Sequence, residues 1–296
     1  MDGTLLQQIP QFVVAGLTNG SIYALIALGF CMVQNATGIV NFAQGDFVML
    51  GALMAVTLLQ KLSVPLVPAF FGAALFGALA GLALERGPLR AARNRDVLVL
   101  VMITVGVSIA VRGTGMLVWG KNVHSLPAIG SESPLILGSA AIVPQVLWII
   151  GLSFTILGLL FLFYRHTLLG KAMRAAADNP YGAALIGISV KKVTALAFAM
   201  AGSLGALAGV LITPLTSMSY SGGLMLGLKG FSAAILGGYG SAVGAVFGGY
   251  ALGILESFAA GFVSSAYKDA FAFLILLAVL FVRPAGLFGS ERVRRL

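Results

Sequence analysis

The sequence predicts an all-α, polytopic integral membrane protein with about 8–9 transmembrane segments, some of them re-entrant or broken. Three observations lead there. Of 296 residues, 59% are hydrophobic and 9% charged, whereas a soluble domain carries roughly 25% charged residues. Mean hydropathy is +1.02. Apolar runs of roughly 17–25 residues, long enough to cross a bilayer, recur along the whole chain. Glycine, at 39 residues, is about twice as frequent as the usual ~7%. Small residues let membrane helices approach backbone to backbone.

Taken in order, the apolar runs place spans near 12–34, 43–60, 64–85, 97–119, 142–164 and 193–213. Region 224–283 divides into three further spans, with a short or re-entrant piece near 224–240. Eight spans plus a re-entrant segment is the rival count. No linker interrupts the pattern, so residues 1–296 read as one domain. The opening MDGTLLQQIP holds no basic residue, so no cleavable signal is expected and the first span directs insertion.

The net charge of +9 does not point to nucleic acid, because of where the charge lies. Basic residues cluster in Arg86–Arg95, Arg165–Lys192 and Arg283–Arg295. That is the signature of cytoplasmic loops. It leaves the 120–141 loop outside, with Lys121 set against Glu132, the N-terminus outside and the C-terminus cytoplasmic. Membrane lipid is the expected surrounding.

The longest polar interruption is "RHTLLGKAMRAAADNPYGAALIGISVKK", residues 165–192. "GKAMRAAAD" is helix-prone. Asp178 or Asn179 suits an N-cap and Pro180 a first helical position, so "YGAALIGI" reads as a short helix ending at Gly187. Small and apolar residues there invite another protein to pack. The plainer reading is a membrane-surface helix whose Lys and Arg lie near anionic headgroups.

Several chemistries find no support. The single cysteine, Cys31, lies in an apolar run, so neither an intrachain disulfide nor a multi-cysteine metal site is expected. His124 and His166 lie in loops without metal-ligand partners. No nucleophile–base constellation is visible, so no catalytic residue is assigned. "GMLVWGKN" at 115–122 resembles a phosphate loop but ends in Asn122 and lies at a span end rather than between a strand and a helix.

Six stretches carry a family resemblance. They are "GLTNGSIYALIALGF" (16–30), "GIVNFAQGDFVMLGA" (38–52), "RAAADNPYGAALIGI" (174–188), "AFAMAGSLGALAGVL" (197–211), "GLKGFSAAILGGYGSAVGAVFGG" (227–249) and "VLFVRPAGLFG" (279–289). Together they resemble the permease subunits of bacterial branched-chain amino acid ABC importers, and the shorter permease type in particular. The resemblance implies an inner-membrane transport subunit rather than an enzyme. It implies a heterodimer with a second related permease, two cytoplasmic ATPase subunits that hold ATP and Mg, and a periplasmic substrate-binding protein. No cofactor is implied for this chain. By the same resemblance the helix of the 165–192 loop seats on the ATPase, with Asn179, Pro180, Ala183, Ala184, Leu185, Ile186 and Gly187 forming the coupling element. Urea, another amino acid or a small carboxylate is the alternative cargo. A stand-alone secondary transporter is the more distant alternative and predicts more buried charge.

The candidate pathway residues are Asn41, Gln44, Asp46, Ser21 and Glu256. "NFAQGDF" reads as a break between two helices, with Gly45 adopting an unusual backbone angle and Asp46 in the first turn of the next helix. Asp46 then serves either as a cap and anchor or, with Asn41 and Gln44, as a polar lining for an amino acid zwitterion. Ser21, Asn19 and Tyr23 are suited to hydrogen bonding across helices. Glu256 faces an interface or the pathway, or else is a charge near the outer membrane surface, which is the reading preferred here. Glu85 and Asp269 fall at span edges.

Overall fold

The computed structural model describes residues 2–130, 133–137, 140–283 and 285–289. Glu132 and the tail arginines Arg292, Arg294 and Arg295 lie outside them. The chain runs as α1 (Asp2–Thr37), α2 (Gln44–Val56), α3 (Leu66–Leu84), α4 (Val97–Trp119) and α5 (Pro144–His166). It continues as α6 (Leu168–Asp178), α7 (Pro180–Leu185), α8 (Val190–Thr216), α9 (Gly222–Gly237), α10 (Ala242–Phe262) and α11 (Lys268–Val282). Wider π turns extend α2 over Thr57–Lys61 and α3 over Glu85–Leu89.

Among the described residues, six helices are long and apolar enough to cross a membrane by length and composition: α1, α3 with its π turn, α4, α5, α8 and α10. The chain is thus an all-α polytopic membrane protein. The span expected at 43–60 is α2 with its π turn, and the segment expected near 224–240 is the short helix α9. The 120–141 loop departs from the all-α expectation. It holds an antiparallel pair, β1 (Leu135–Leu137) and β2 (Ala140–Ile142).

Packing follows the glycines. α1 lies antiparallel on α10, where the backbone of Gly20 meets Tyr250 and that of Gly253 meets Gly16 and Gly20. α3 lies antiparallel on α8, with Gly77 against Gly202 and Gly81 against Phe198. α2 is enclosed by α8, α3 and α9, and every residue of it except Met54 is buried. Gly45 has a helical angle, contrary to the expectation of an unusual one. Its small size matters instead, because the backbones of Gly223 and Gly227 press against it. The positive φ at the break belongs to Gly38, at 75°.

These contacts sort the loops to two ends. Because α3 and α8 run antiparallel, the basic turn after α3 lies at the same end as the start of α8, together with α6 and α7. Leu287 and Phe288 donate backbone hydrogen bonds to Leu236 and Gly237, at the end of α9. Gly240, just beyond, accepts from Asn35 near the end of α1. The 120–141 loop is at the opposite end, where His124 pairs with Met218 beyond α8 and Ala141 donates to Gln11 near the start of α1.

Replacing Gly202 by Leu drives a side chain into the backbone of Gly77, which is expected to cost about 1–3 kcal/mol or more by overpacking. A melting curve of detergent-purified protein checks this. Gly106→Leu, where an added Cβ meets nothing within 4 Å, is expected to melt as wild type.

Candidate functional site

Three features carry chemistry: a polar break between α1 and α2, an ion-pair network among α1, α9, α10 and α11, and the outward face of α7.

The break begins where Gly38 ends α1. Asn41 Oδ1 accepts from the Ala43 backbone at 3.1 Å, which turns the chain into α2. Gln44 Nε2 donates to the Ala201 carbonyl in the middle of α8 at 2.9 Å. Asp46 is in the first turn of α2, as expected. All three side chains are buried. Facing them is a polar stripe on α4. Thr104 Oγ1 accepts from the Phe42 backbone at 3.1 Å, Arg112 Nη2 donates to Ser108 Oγ at 3.3 Å, and Arg112 Nε lies 3.5 Å from Asp46 Oδ1. That contact is an ion pair and not a hydrogen bond. Asn41 Nδ2, Gln44 Oε1 and Asp46 Oδ1 each remain without a hydrogen-bond partner. Buried polar atoms are normally paired, so this cluster retains capacity for water or a polar solute.

The second feature shows Glu256 buried within the protein and paired across helices. Glu256 is 2% exposed. Its Oε1 accepts from Lys229 Nζ at 2.7 Å, and its Oε2 accepts from Tyr23 OH at 2.8 Å. Lys229 also lies 2.6 Å from Asp269 Oδ1, on the first turn of α11. Ser21 joins neither the break nor this network. Its hydroxyl donates to Leu17 O at 2.8 Å and lies 3.2 Å from Tyr250 OH, in the seam between α1 and α10. The residues named from sequence thus divide: Asn41, Gln44 and Asp46 come together, while Glu256 and Ser21 are held elsewhere. Glu85, at a span edge as expected, is buried against Arg90, whose guanidinium donates to both carboxylate oxygens.

Lys229 and Arg112 were not singled out from the sequence. Both are cations inside apolar runs, and such groups are as costly in a membrane as acids. Counting bases alongside acids would have found them.

In the third feature, Asn179 Oδ1 accepts from the Gly182 backbone at 2.9 Å, capping α7 with Pro180 at its first position. Gly187, at φ 87°, ends the turn. Ala183 is buried in the core, so it anchors α7 and does not face outward. The outward face comprises Ala184, Leu185 and Ile186, joined by Tyr181, with Tyr181 75% and Leu185 72% exposed. Tyr181 was absent from the sequence-based set.

The family profile described as "Branched-chain amino acid transport system / permease component" matches residues 12–280. The chain belongs to this family. The permease is 34% identical over 296 residues to the high-affinity branched-chain amino acid transport system permease protein LivH of Escherichia coli K12, covering 95% of each chain. It is 34% identical over 301 residues to the corresponding protein BraD of Pseudomonas aeruginosa, covering 96% of this chain and 97% of the other. Its fold resembles PsaBC from Streptococcus pneumoniae, solved in complex with Fab, with a TM-score of 0.54 at 15% identity over 97% of this chain and 98% of that one. The permease is a transport subunit.

The Lys229 network generates a test. Lys229→Met leaves the Glu256 carboxylate buried without its cation, an expected loss of about 3–5 kcal/mol. Adding Glu256→Gln removes the orphan charge, so the double variant is expected to melt above the single one in detergent.

Proposed function

We propose that this chain is the permease subunit of a bacterial ABC importer that carries branched-chain amino acids across the inner membrane. Two cytoplasmic ATPase subunits would drive it, a second related permease would complete the pathway, and a periplasmic binding protein would deliver the cargo. The cargo reading rests on likeness to LivH and BraD along nearly the whole of each chain. One geometric observation carries the coupling reading: α7 is capped at both ends, anchored by Ala183, and turns Tyr181, Leu185 and Ile186 outward. An exposed apolar knob on a helix only six residues long suits a groove on another protein. It lies at the end that carries the basic loops, which the positive-inside rule assigns to the cytoplasm.

In this mechanism ATP closes the ATPase dimer, α7 moves with the groove that holds it, and α8 transmits the motion. Gln44, bound to α8, shifts with it. Asn41, Gln44 and Asp46 then offer their unpaired polar atoms to the ammonium and carboxylate of the passing amino acid. Affinity at this point is low by design, since the binding protein does most of the selecting.

Uptake of radiolabelled leucine, isoleucine and valine by cells with and without this gene tests the cargo. Leu185→Glu is expected to abolish association with the ATPase and uptake while the protein inserts and melts normally. Unchanged association would remove α7 from the coupling role. Asp46→Asn is expected to reduce leucine uptake several-fold with the complex still assembled. Full uptake would take the charge of Asp46 out of the mechanism.

A further inference from the structure

A cavity of about 520 Å³ lies between α1, α5, α6 and α10, apart from the polar break and the Lys229 network. Its walls are apolar: Leu28 and Met32 from α1, Leu157 and Leu160 from α5, Val243 and Val246 from α10. These residues belong to three helices long and apolar enough to cross a membrane, so the walls lie at membrane depth. Two charged side chains line the same cavity, Arg165 at the end of α5 and Arg174 on α6. Both are cationic, both are exposed, and no carboxylate lines the cavity. The Arg165 guanidinium sits 5.9 Å above the Phe161 ring, a cation–π contact that holds it beside the apolar slot. The arginines mark the end of the bundle that carries the basic turn after α3 and the start of α8, whose Val193 also lines the cavity.

We propose that this cavity is a binding site for an anionic phospholipid, with an acyl chain between α1, α5 and α10 and the phosphate held by Arg165 and Arg174. An apolar slot at membrane depth with cations at one end matches the two halves of a phospholipid in order. Guanidinium groups bind phosphate through paired, charge-assisted hydrogen bonds. Basic pockets between transmembrane helices on the cytoplasmic side hold anionic headgroups. A spanning helix of the second permease fits less well. At a diameter of about 10 Å, a helix fills such a volume in roughly one turn, whereas a flexible acyl chain fills an irregular slot. The site also adjoins the helix that precedes the coupling element, because Met173 and Arg174 belong to α6, which leads through Asn179 into α7.

Native mass spectrometry of the full-length protein in mild detergent tests this, with dioleoyl phosphatidylglycerol as probe and dioleoyl phosphatidylcholine as the control with identical chains. Wild type is expected to retain one phosphatidylglycerol about tenfold more tightly than phosphatidylcholine. Arg165→Gln with Arg174→Gln is expected to abolish that preference and leave phosphatidylcholine binding unchanged. Val246→Trp, which fills the slot, is expected to remove the tight site for both lipids. Melting curves of each variant establish folding, and the double arginine variant, altered only at exposed positions, carries the test if Val246→Trp fails to fold. Equal binding of the two lipids by wild type, or a preference that survives loss of both arginines, overturns the proposal. Displacement by an equal concentration of glycerol phosphate overturns it in favour of a bare phosphate site. Loss of the adduct when a second permease subunit is co-purified overturns it in favour of a protein interface.

Discussion

Within a bilayer, helices gain little from hiding apolar side chains, since lipid tails are as apolar as leucine, and association depends on how closely backbones fit. The architecture here rests on that constraint. Gly16, Gly20 and Gly253 bring α1 onto α10, and Gly77, Gly81 and Gly202 bring α3 onto α8. Gly51 and Gly209 seat α2 in the same way, against Ala206 and Val48. A single added methyl group in any of these seams meets backbone, which cannot yield as the tip of a flexible side chain can. The seams therefore act as fixed rails, and the polar features are positioned by them.

Enclosing α2 has a consequence for the polar residues at its start. A helix that begins within a membrane protein has backbone donors that water cannot reach. Asn41 and Thr104 supply acceptors, while Gln44 reaches the Ala201 carbonyl. Once those needs are met, Asn41 Nδ2 and Gln44 Oε1 are left over. The Lys229 network balances differently. Its lysine meets two carboxylates, and the Tyr23 hydroxyl satisfies a further carboxylate oxygen. A buried ion pair seldom adds net stability against an apolar replacement. Its retention across four helices is better understood as fixing how α1, α9, α10 and α11 register against one another.

The sequence made the membrane class and most helix positions legible because a bilayer imposes length and composition on every span. Residues 97–119 coincide with α4, and the capped helix after Asn179 is where Asn-Pro and Gly187 put it. Hydropathy does not report what a helix packs against. An apolar stretch such as 44–56 reads the same whether it faces lipid or protein, so its enclosure was invisible. The same holds for Glu256, whose partner Lys229 is 27 residues away and whose other hydrogen bond comes from Tyr23 on α1. Gly45 shows the limit at a single residue. Glycine serves both for positive φ and for close approach, and only the neighbouring Gly223 and Gly227 distinguish the two. Ser21 likewise gave no sign of its partners, since a serine can bond its own helix four residues back, as it does here, and still meet Tyr250 across the seam.

The two ends of the proposed cycle are joined by one element. α8 starts four residues after Ile186, the last apolar residue of the α7 face, and runs unbroken for 27 residues to Thr216. Ala183 fixes α7 to the protein near that start, while Ala201, in the middle of α8, holds Gln44. A rigid helix moves as a unit, so a displacement taken up at α7 reaches the polar break without needing a chain of loosely coupled side chains. The glycine seams limit the form of that motion. With Gly77 against Gly202 and Val48 against Gly209, α8 has no room to move closer to α3 or α2. Sliding along the seams or rotating together with both neighbours remains open to it. Either motion carries α2 relative to α4, which packs only lightly on the rest. The 3.5 Å contact between Asp46 and Arg112 spans that boundary, and it is the contact such a movement would make or break first.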